Sequence, residues 1–131
     1  MERINNLPTI ESLSLQQYKD KRSAVLFTSP SAEKDSSLYL KDVNITEKLY
    51  IQTSEKVPIE ELAKKRISAE VGYAVGGGRT IDIAKFLTSK WKLENISVPT
   101  IISSDAFLTD CTGLRKDGCV MYVPSKRADR V

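Results

Sequence analysis

The sequence predicts an α/β fold: a parallel sheet flanked by helices, followed by a C-terminal β-hairpin. Two observations carry this reading. Short β-branched, apolar runs alternate with amphipathic stretches along the chain, which is the rhythm of strands joined by helical crossovers. One of those runs, 71–75, leads directly into three consecutive glycines and then into a helical pattern.

The elements follow in order. Residues 14–19 are expected to form a short helix capped by Ser14. Residues 23–28 (Ser-Ala-Val-Leu-Phe-Thr) form a buried strand ended by Ser29-Pro30-Ser31, and 32–41 a helix. Residues 49–53 are expected as the second strand. In 58–65, Pro58 at the first helical position and acids in the first turn predict a helix start. Residues 71–75 are the third strand and 80–91 the next helix. There Ile83, Leu87 and Trp91 recur at i, i+4 and i+8 beside Ala84, a face that packs on the sheet. Residues 95–98 form the fourth strand, closed by Pro99, and a hairpin spans 109–123 with Gly118 at its turn. No repeat or low-complexity segment interrupts the pattern.

A length of 131 residues is one domain's worth. The sequence contains no histidine, which removes Ser-His-Asp chemistry, Cys-His chemistry and His-ligated zinc from this chain acting alone. Its two cysteines are too few for a cysteine-built zinc site. Pairing Leu114 with Cys119 sets Cys111 opposite Tyr122, too far for a disulfide, so both thiols are expected free. The net charge of +3 is mild. Its densest basic runs, Lys64 to Arg66 and Lys126 to Arg130, read as a solvated helix face and a frayed end rather than a nucleic-acid surface. No run approaches the roughly 20 apolar residues of a membrane span. The first residues lack a signal peptide's apolar core, so a cytoplasmic location is expected.

Two segments carry chemistry. Gly76-Gly77-Gly78 between a buried strand and a helix removes every Cβ from the turn. Backbone amides and the positive end of the helix dipole then face a ligand, for which a phosphate or pyrophosphate is the natural choice. No Gly-Lys-Ser/Thr follows, and position 81 is Ile, so this is neither a Walker loop nor G-x-G-x-x-G. Asp82 either hydrogen-bonds back into the glycine loop to hold its amides or is an ordinary first-turn acid; Lys85, one turn on, pairs with Asp82. The second segment, 98–110, holds four hydroxyls (Thr100, Ser103, Ser104, Thr109) and two carboxylates (Asp105, Asp110). Right-handed crossovers place it on the same sheet edge as the glycines, where open α/β sheets bind ligands.

Val75 to Lys85, followed by Ile96-Ser97-Val98-Pro99-Thr100 and Ser103-Ser104-Asp105-Ala106, resembles the iron-containing alcohol dehydrogenase superfamily, nearest its glycerol dehydrogenase and sn-glycerol-1-phosphate dehydrogenase branch. The resemblance implies a Rossmann-like, dehydroquinate synthase-like N-terminal domain over 1–131 that binds NAD or NADP. It implies that Gly76, Gly77, Gly78, Arg79 and Thr80, with Asp82 closing the motif, take the pyrophosphate. Thr100, Ser103 and Thr109 match cofactor-contacting hydroxyls, and Asp105 matches the carboxylate facing the substrate, a small polyol or polyol phosphate. Cys111 and Arg115 stand where glycerol dehydrogenases place an apolar residue and a tyrosine against the cofactor. Thr28-Ser29-Pro30 lacks the acid that would exclude a 2′-phosphate, which keeps NADP open. The family's divalent metal, zinc or iron, is held by an acid and two histidines of a following helical domain that is expected to be absent here. The chain is thus expected to be the cofactor-binding part of a metal- and NAD(P)-dependent dehydrogenase, inactive alone and homo-oligomeric. The alternatives are a dehydroquinate synthase-like lyase domain and a stand-alone nucleotide-binding or assembly module.

Overall fold

The computed structural model of the protein describes residues 19–36, 40–100 and 111–131. Four parallel strands, β1 (Asp20–Thr28), β2 (Val43–Tyr50), β3 (Val71–Gly76) and β4 (Glu94–Pro99), form a sheet in the order β2-β1-β3-β4. The crossovers carry α1 (Pro30–Ser36), α2 (Lys56–Ala63) and α3 (Gly78–Trp91), and β5 (Cys111–Lys116) pairs with β6 (Cys119–Pro124) as an antiparallel hairpin. The α/β class with its terminal hairpin is therefore as expected. No helix among the described residues is long and apolar enough to cross a membrane.

The sheet is buried on both faces at its centre, which is why β1 and β3 show continuous apolar runs. Val25, Phe27 and Ala74 point to one side, against Ile81, Ile83, Ala84 and Leu87 of α3, Ile59 of α2 and Leu114 of β5. Ala24, Leu26, Val71, Tyr73 and Val75 point to the other, with Leu40 and Ile96. Trp91 closes the far end of α3: its ring stacks on Phe27 at 6.1 Å, and its Nε1 donates to the Ala63 carbonyl at 3.0 Å. Beneath α3, Gly72 admits a close helix approach, because a Cβ there would meet Thr88 Cγ2 at 2.7 Å and Phe27 Cε2 at 2.9 Å.

Several boundaries differ from the sequence reading. The second strand is Val43–Tyr50 rather than 49–53. It lies at the sheet edge, where exposed Asn44, Thr46 and Lys48 break up the apolar run that marks a central strand. Helix α1 begins at Pro30, and helix α2 begins at Lys56 with Pro58 as its third residue. Proline costs no bond there, since first-turn amides have no intrahelical acceptor. Helix α3 takes in Gly78 and Arg79 before the expected start at 80. The expected helix at 14–19 lies outside the described residues, apart from Lys19, which is not helical.

The hairpin turns tightly on Asp117 and Gly118, both at positive φ (53° and 78°), the two-residue Asp-Gly geometry that matches strand twist. Lys116 therefore pairs with Cys119 and Leu114 with Met121, not with Cys119 as expected. Cys111 falls opposite Pro124, and neither cysteine is in a disulfide. The basic end is not frayed either. Ser97 N donates to the Arg130 carbonyl at 2.9 Å and Asp129 N to the Asn95 carbonyl at 2.8 Å, while the Asp129 carboxylate accepts from Asn95 N. These bonds dock the segment on the outer edge of β4.

At the opposite end of the sheet from the glycines, the Asp20 carboxylate receives the Tyr73 hydroxyl and the Arg22 guanidinium, which also pairs with Glu94 at 3.2 Å. Burial pushes Asp20 upward, but the hydrogen bonds from Arg22 and Tyr73 outweigh it and hold the carboxyl below its ordinary range.

Candidate functional site

The chain leaves β1 toward β2 on one side and β3 toward β4 on the other, so the carboxyl ends of β1 and β3 flank the switch point of the sheet. Both ends are pinned by hydrogen bonds. The buried Thr28 hydroxyl donates to the Val75 carbonyl at 2.9 Å, and Thr100 N donates to the Gly76 carbonyl at 2.9 Å, holding the end of β4 beside that of β3.

The glycine turn sits at this edge. Gly76 has φ 157°, and a Cβ on it would crowd Thr80 Cβ and Oγ1 at 3.1 Å. Gly77 is the cap of α3 in an extended conformation (φ −87°), with no side-chain hydrogen bond to the helix start. The first helical bond outside the turn is Ile81 N to the Gly77 carbonyl at 3.1 Å. The amides of Gly78, Arg79 and Thr80 precede it and have no acceptor in the helix, so they are available to an anion. Thr80 is buried with its hydroxyl over Gly76, while Arg79 is exposed and reaches the Gln52 carbonyl at 3.4 Å. The donors fit a pyrophosphate: backbone amides without intervening side chains, one hydroxyl and one guanidinium, at a helix N-terminus.

Asp82 does not turn back to the glycine loop. Its Oδ2 accepts the Gly113 amide at 2.8 Å, and its Oδ1 pairs with Lys85 Nζ at 3.2 Å. The physical reason is position: one turn into α3, Asp82 lies beside β5, whose outer edge offers an unpaired amide. Lys85 pairs with Asp82 as expected and also donates to the Cys111 carbonyl at 3.0 Å, although its side chain is wholly buried. Thr112 Oγ1 donates to the Asp82 carbonyl at 2.9 Å and shares a hydrogen bond with Ser125 Oγ. Sequence reasoning missed this attachment, because the Asp-to-Lys spacing signals only the pair within α3.

The structure thus brings Gly76, Gly77, Gly78, Arg79, Thr80 and Thr100 to one edge and sets Asp82 against the hairpin. Ser103, Asp105 and Thr109 lie outside the described residues. Among the described residues no three His, Cys, Asp or Glu side chains gather to hold a metal, so they do not fit the metal that the resemblance implies.

The sequence pattern of the family described as iron-containing alcohol dehydrogenase matches residues 18–126. The chain belongs to that family. A curated relative, the glycerol-1-phosphate dehydrogenase [NAD(P)+] of Thermofilum pendens, is 34% identical over 71 residues, 53% of this chain and 20% of its own. Among solved structures of this family's fold, the iron-containing alcohol dehydrogenase of Thermococcus thioreducens aligns with a TM-score of 0.71 at 18% identity, over 99% of this chain and 45% of its own. The glycerol dehydrogenase of Schizosaccharomyces pombe aligns with a TM-score of 0.67 at 23% identity, over 82% of this chain and 30% of its own. The chain spans about a fifth of the length of the curated relative and less than half of either solved chain.

Proposed function

We propose that this chain is the dinucleotide-binding part of an NAD(P)-dependent alcohol dehydrogenase acting on a small polyol or polyol phosphate. The observation that carries the proposal is the glycine turn at the switch point, whose first helical amides lie at the sheet edge with no capping side chain among the described residues. The bracketed cofactor in the name of the glycerol-1-phosphate dehydrogenase relative supports the same cofactor class here. In this reading the amides of Gly78 to Thr80 hold the pyrophosphate, Arg79 neutralises its charge, and the Thr80 hydroxyl adds a donor. Thr100, with Ser103 and Thr109, supplies hydroxyls toward the nicotinamide end, and Asp105 accepts from a substrate hydroxyl. When bound, the dinucleotide supplies the ring that takes or returns a hydride.

The turn after β1 presents Ser29, whose Oγ accepts from Ala32 N at 3.3 Å, and no acid. A 2′-phosphate meets no fixed negative charge there, so both NAD and NADP are taken as ligands. The whole enzyme is proposed to be cytoplasmic and homo-oligomeric, with its metal held by residues other than those described. Isothermal titration with NAD(H) and NADP(H) tests the cofactor reading: saturable heat is expected with at least one. No binding of either at millimolar concentration, in a sample shown to be folded by its near-UV spectrum, refutes it. Reduction of NAD(P) with glycerol 1-phosphate set against glycerol tests the substrate class.

A further inference from the structure

We propose that Asp82 and Lys85 are a positioning pair, which fixes the distance between the glycine turn and the hairpin and thereby sets dinucleotide affinity without touching the ligand. This rests on the dinucleotide reading above.

Strand β5 has β6 on one side only, which leaves the amides of Gly113 and Arg115 and the carbonyl of Cys111 facing away from the pair. Each finds a partner that is not a strand. Gly113 N goes to Asp82 Oδ2 at 2.8 Å, Arg115 N to the Ser54 carbonyl at 2.8 Å, and the Cys111 carbonyl to Lys85 Nζ at 3.0 Å. Two of the three partners are side chains of α3, and the Lys85–Asp82 contact at 3.2 Å joins them to each other. Thr112 Oγ1 adds a fourth link, to the Asp82 carbonyl. The helix that presents the glycine amides at its start is therefore riveted to β5 through its first two turns.

Two features separate this arrangement from a surface ion pair. Lys85 is wholly buried, so its ammonium has exchanged water for protein partners that include the Asp82 carboxylate and the Cys111 carbonyl. And the space around Gly113 is narrow: a Cβ there would meet Val120 Cγ1 at 3.2 Å and Asp82 Oδ2 at 3.7 Å. The carboxylate thus lies against the strand and ties the helix to the hairpin. An aspartate here serves the turn by holding what stands next to it.

The test uses the chain with Asp82→Ala and Asp82→Asn. Alanine removes the acceptor for Gly113 and the partner of Lys85. Asparagine keeps an acceptor oxygen and the side-chain shape. Amide hydrogen exchange is followed at 111–124 and, as control, at 71–76, alongside NAD(P)H affinity by fluorescence. The alanine variant is expected to exchange faster across the hairpin while the central strand keeps its protection. It should also bind dinucleotide about tenfold more weakly, within the usual span of coupling between sites. Asparagine is expected to restore much of both. Hairpin exchange unchanged in the alanine variant overturns the proposal, and so does a loosened hairpin with unchanged affinity. If alanine prevents folding, Lys85→Met decides by the same two readouts: faster hairpin exchange with weaker binding is expected, and parent-like values in both overturn the proposal. If the unmodified chain binds no dinucleotide, the functional reading and the affinity half of this proposal fall together, while the exchange arm still decides whether the pair holds the hairpin.

Discussion

Gly72 sets how close α3 can lie to the sheet, and replacing it with alanine tests that seat. The new methyl would stand 2.7 Å from Thr88 Cγ2 and 2.9 Å from Phe27 Cε2, both inside contact distance. Neither neighbour yields easily. Thr88 is held by its Oγ1, which donates to the Ala84 carbonyl at 2.8 Å and accepts from Asn95 Nδ2 at 3.1 Å, and Phe27 is stacked on Trp91. Overpacking of this kind costs about 1–3 kcal/mol, from which a lower unfolded-state entropy of alanine returns about 0.4–1 kcal/mol. The net expectation is a loss of about 1–2 kcal/mol, or about 4–8 °C in melting temperature for a chain of this size. The single tryptophan, Trp91, reports on this packing, so urea unfolding followed by its fluorescence is the assay. Thr88→Ser removes the clashing methyl and keeps the hydroxyl. In the Gly72→Ala background it should recover about 1 kcal/mol relative to the sum of the single changes. A Gly72→Ala protein as stable as the parent, or a cycle with no coupling, refutes the steric argument.

Two other outcomes follow from the same geometry. Asp20→Asn should flatten the acid limb of the stability curve. The native carboxyl is held below its unfolded value, so its contribution is present above about pH 4 and is lost as pH falls through the lower folded value; unfolding midpoints measured from pH 7 to pH 3 should diverge between parent and variant at the upper end and converge at the lower. Gly78→Ala should weaken dinucleotide binding in a sample that keeps its far-UV spectrum; unchanged affinity, read by titration, would show that no ligand approaches this backbone.

The fold was legible where burial is symmetric. Residues 23–28 and 71–75 lie in strands covered on both faces, and their unbroken apolar runs marked them within a few residues. The edge strand β2 was misplaced because half its residues face water and the apolar signal slid into the loop after it. The docking of Asp129 and Arg130 on β4 left no pattern at all, because it depends on backbone atoms and one carboxylate rather than on periodicity. At the site, the glycines announced themselves by composition. Asp82 did not reveal its partner, since the amide it holds belongs to Gly113, thirty-one residues away in a hairpin whose register the sequence left open by two positions.

Why three glycines are present is answered by treating them separately. Gly76 is explained by the fold: its φ of 157° and the Thr80 side chain at 3.1 Å from any Cβ leave no room for another residue. Gly77 and Gly78 are not held by a positive φ. Gly77 is extended at φ −87°, a conformation every residue adopts, and serine, aspartate or asparagine there would satisfy a helix amide. Gly78 lies at the first helical position, where alanine is the better helix former. Backbone conformation alone would accept a side chain at both places. What glycine gives is backbone whose N–H groups have no acceptor within the helix, at the edge of the sheet where neighbouring crossovers part. A helix held at Trp91, Gly72, Lys85 and Asp82, with glycine backbone at its start, is the arrangement the proposed dinucleotide site requires, because it keeps the first-turn amides fixed at the sheet edge.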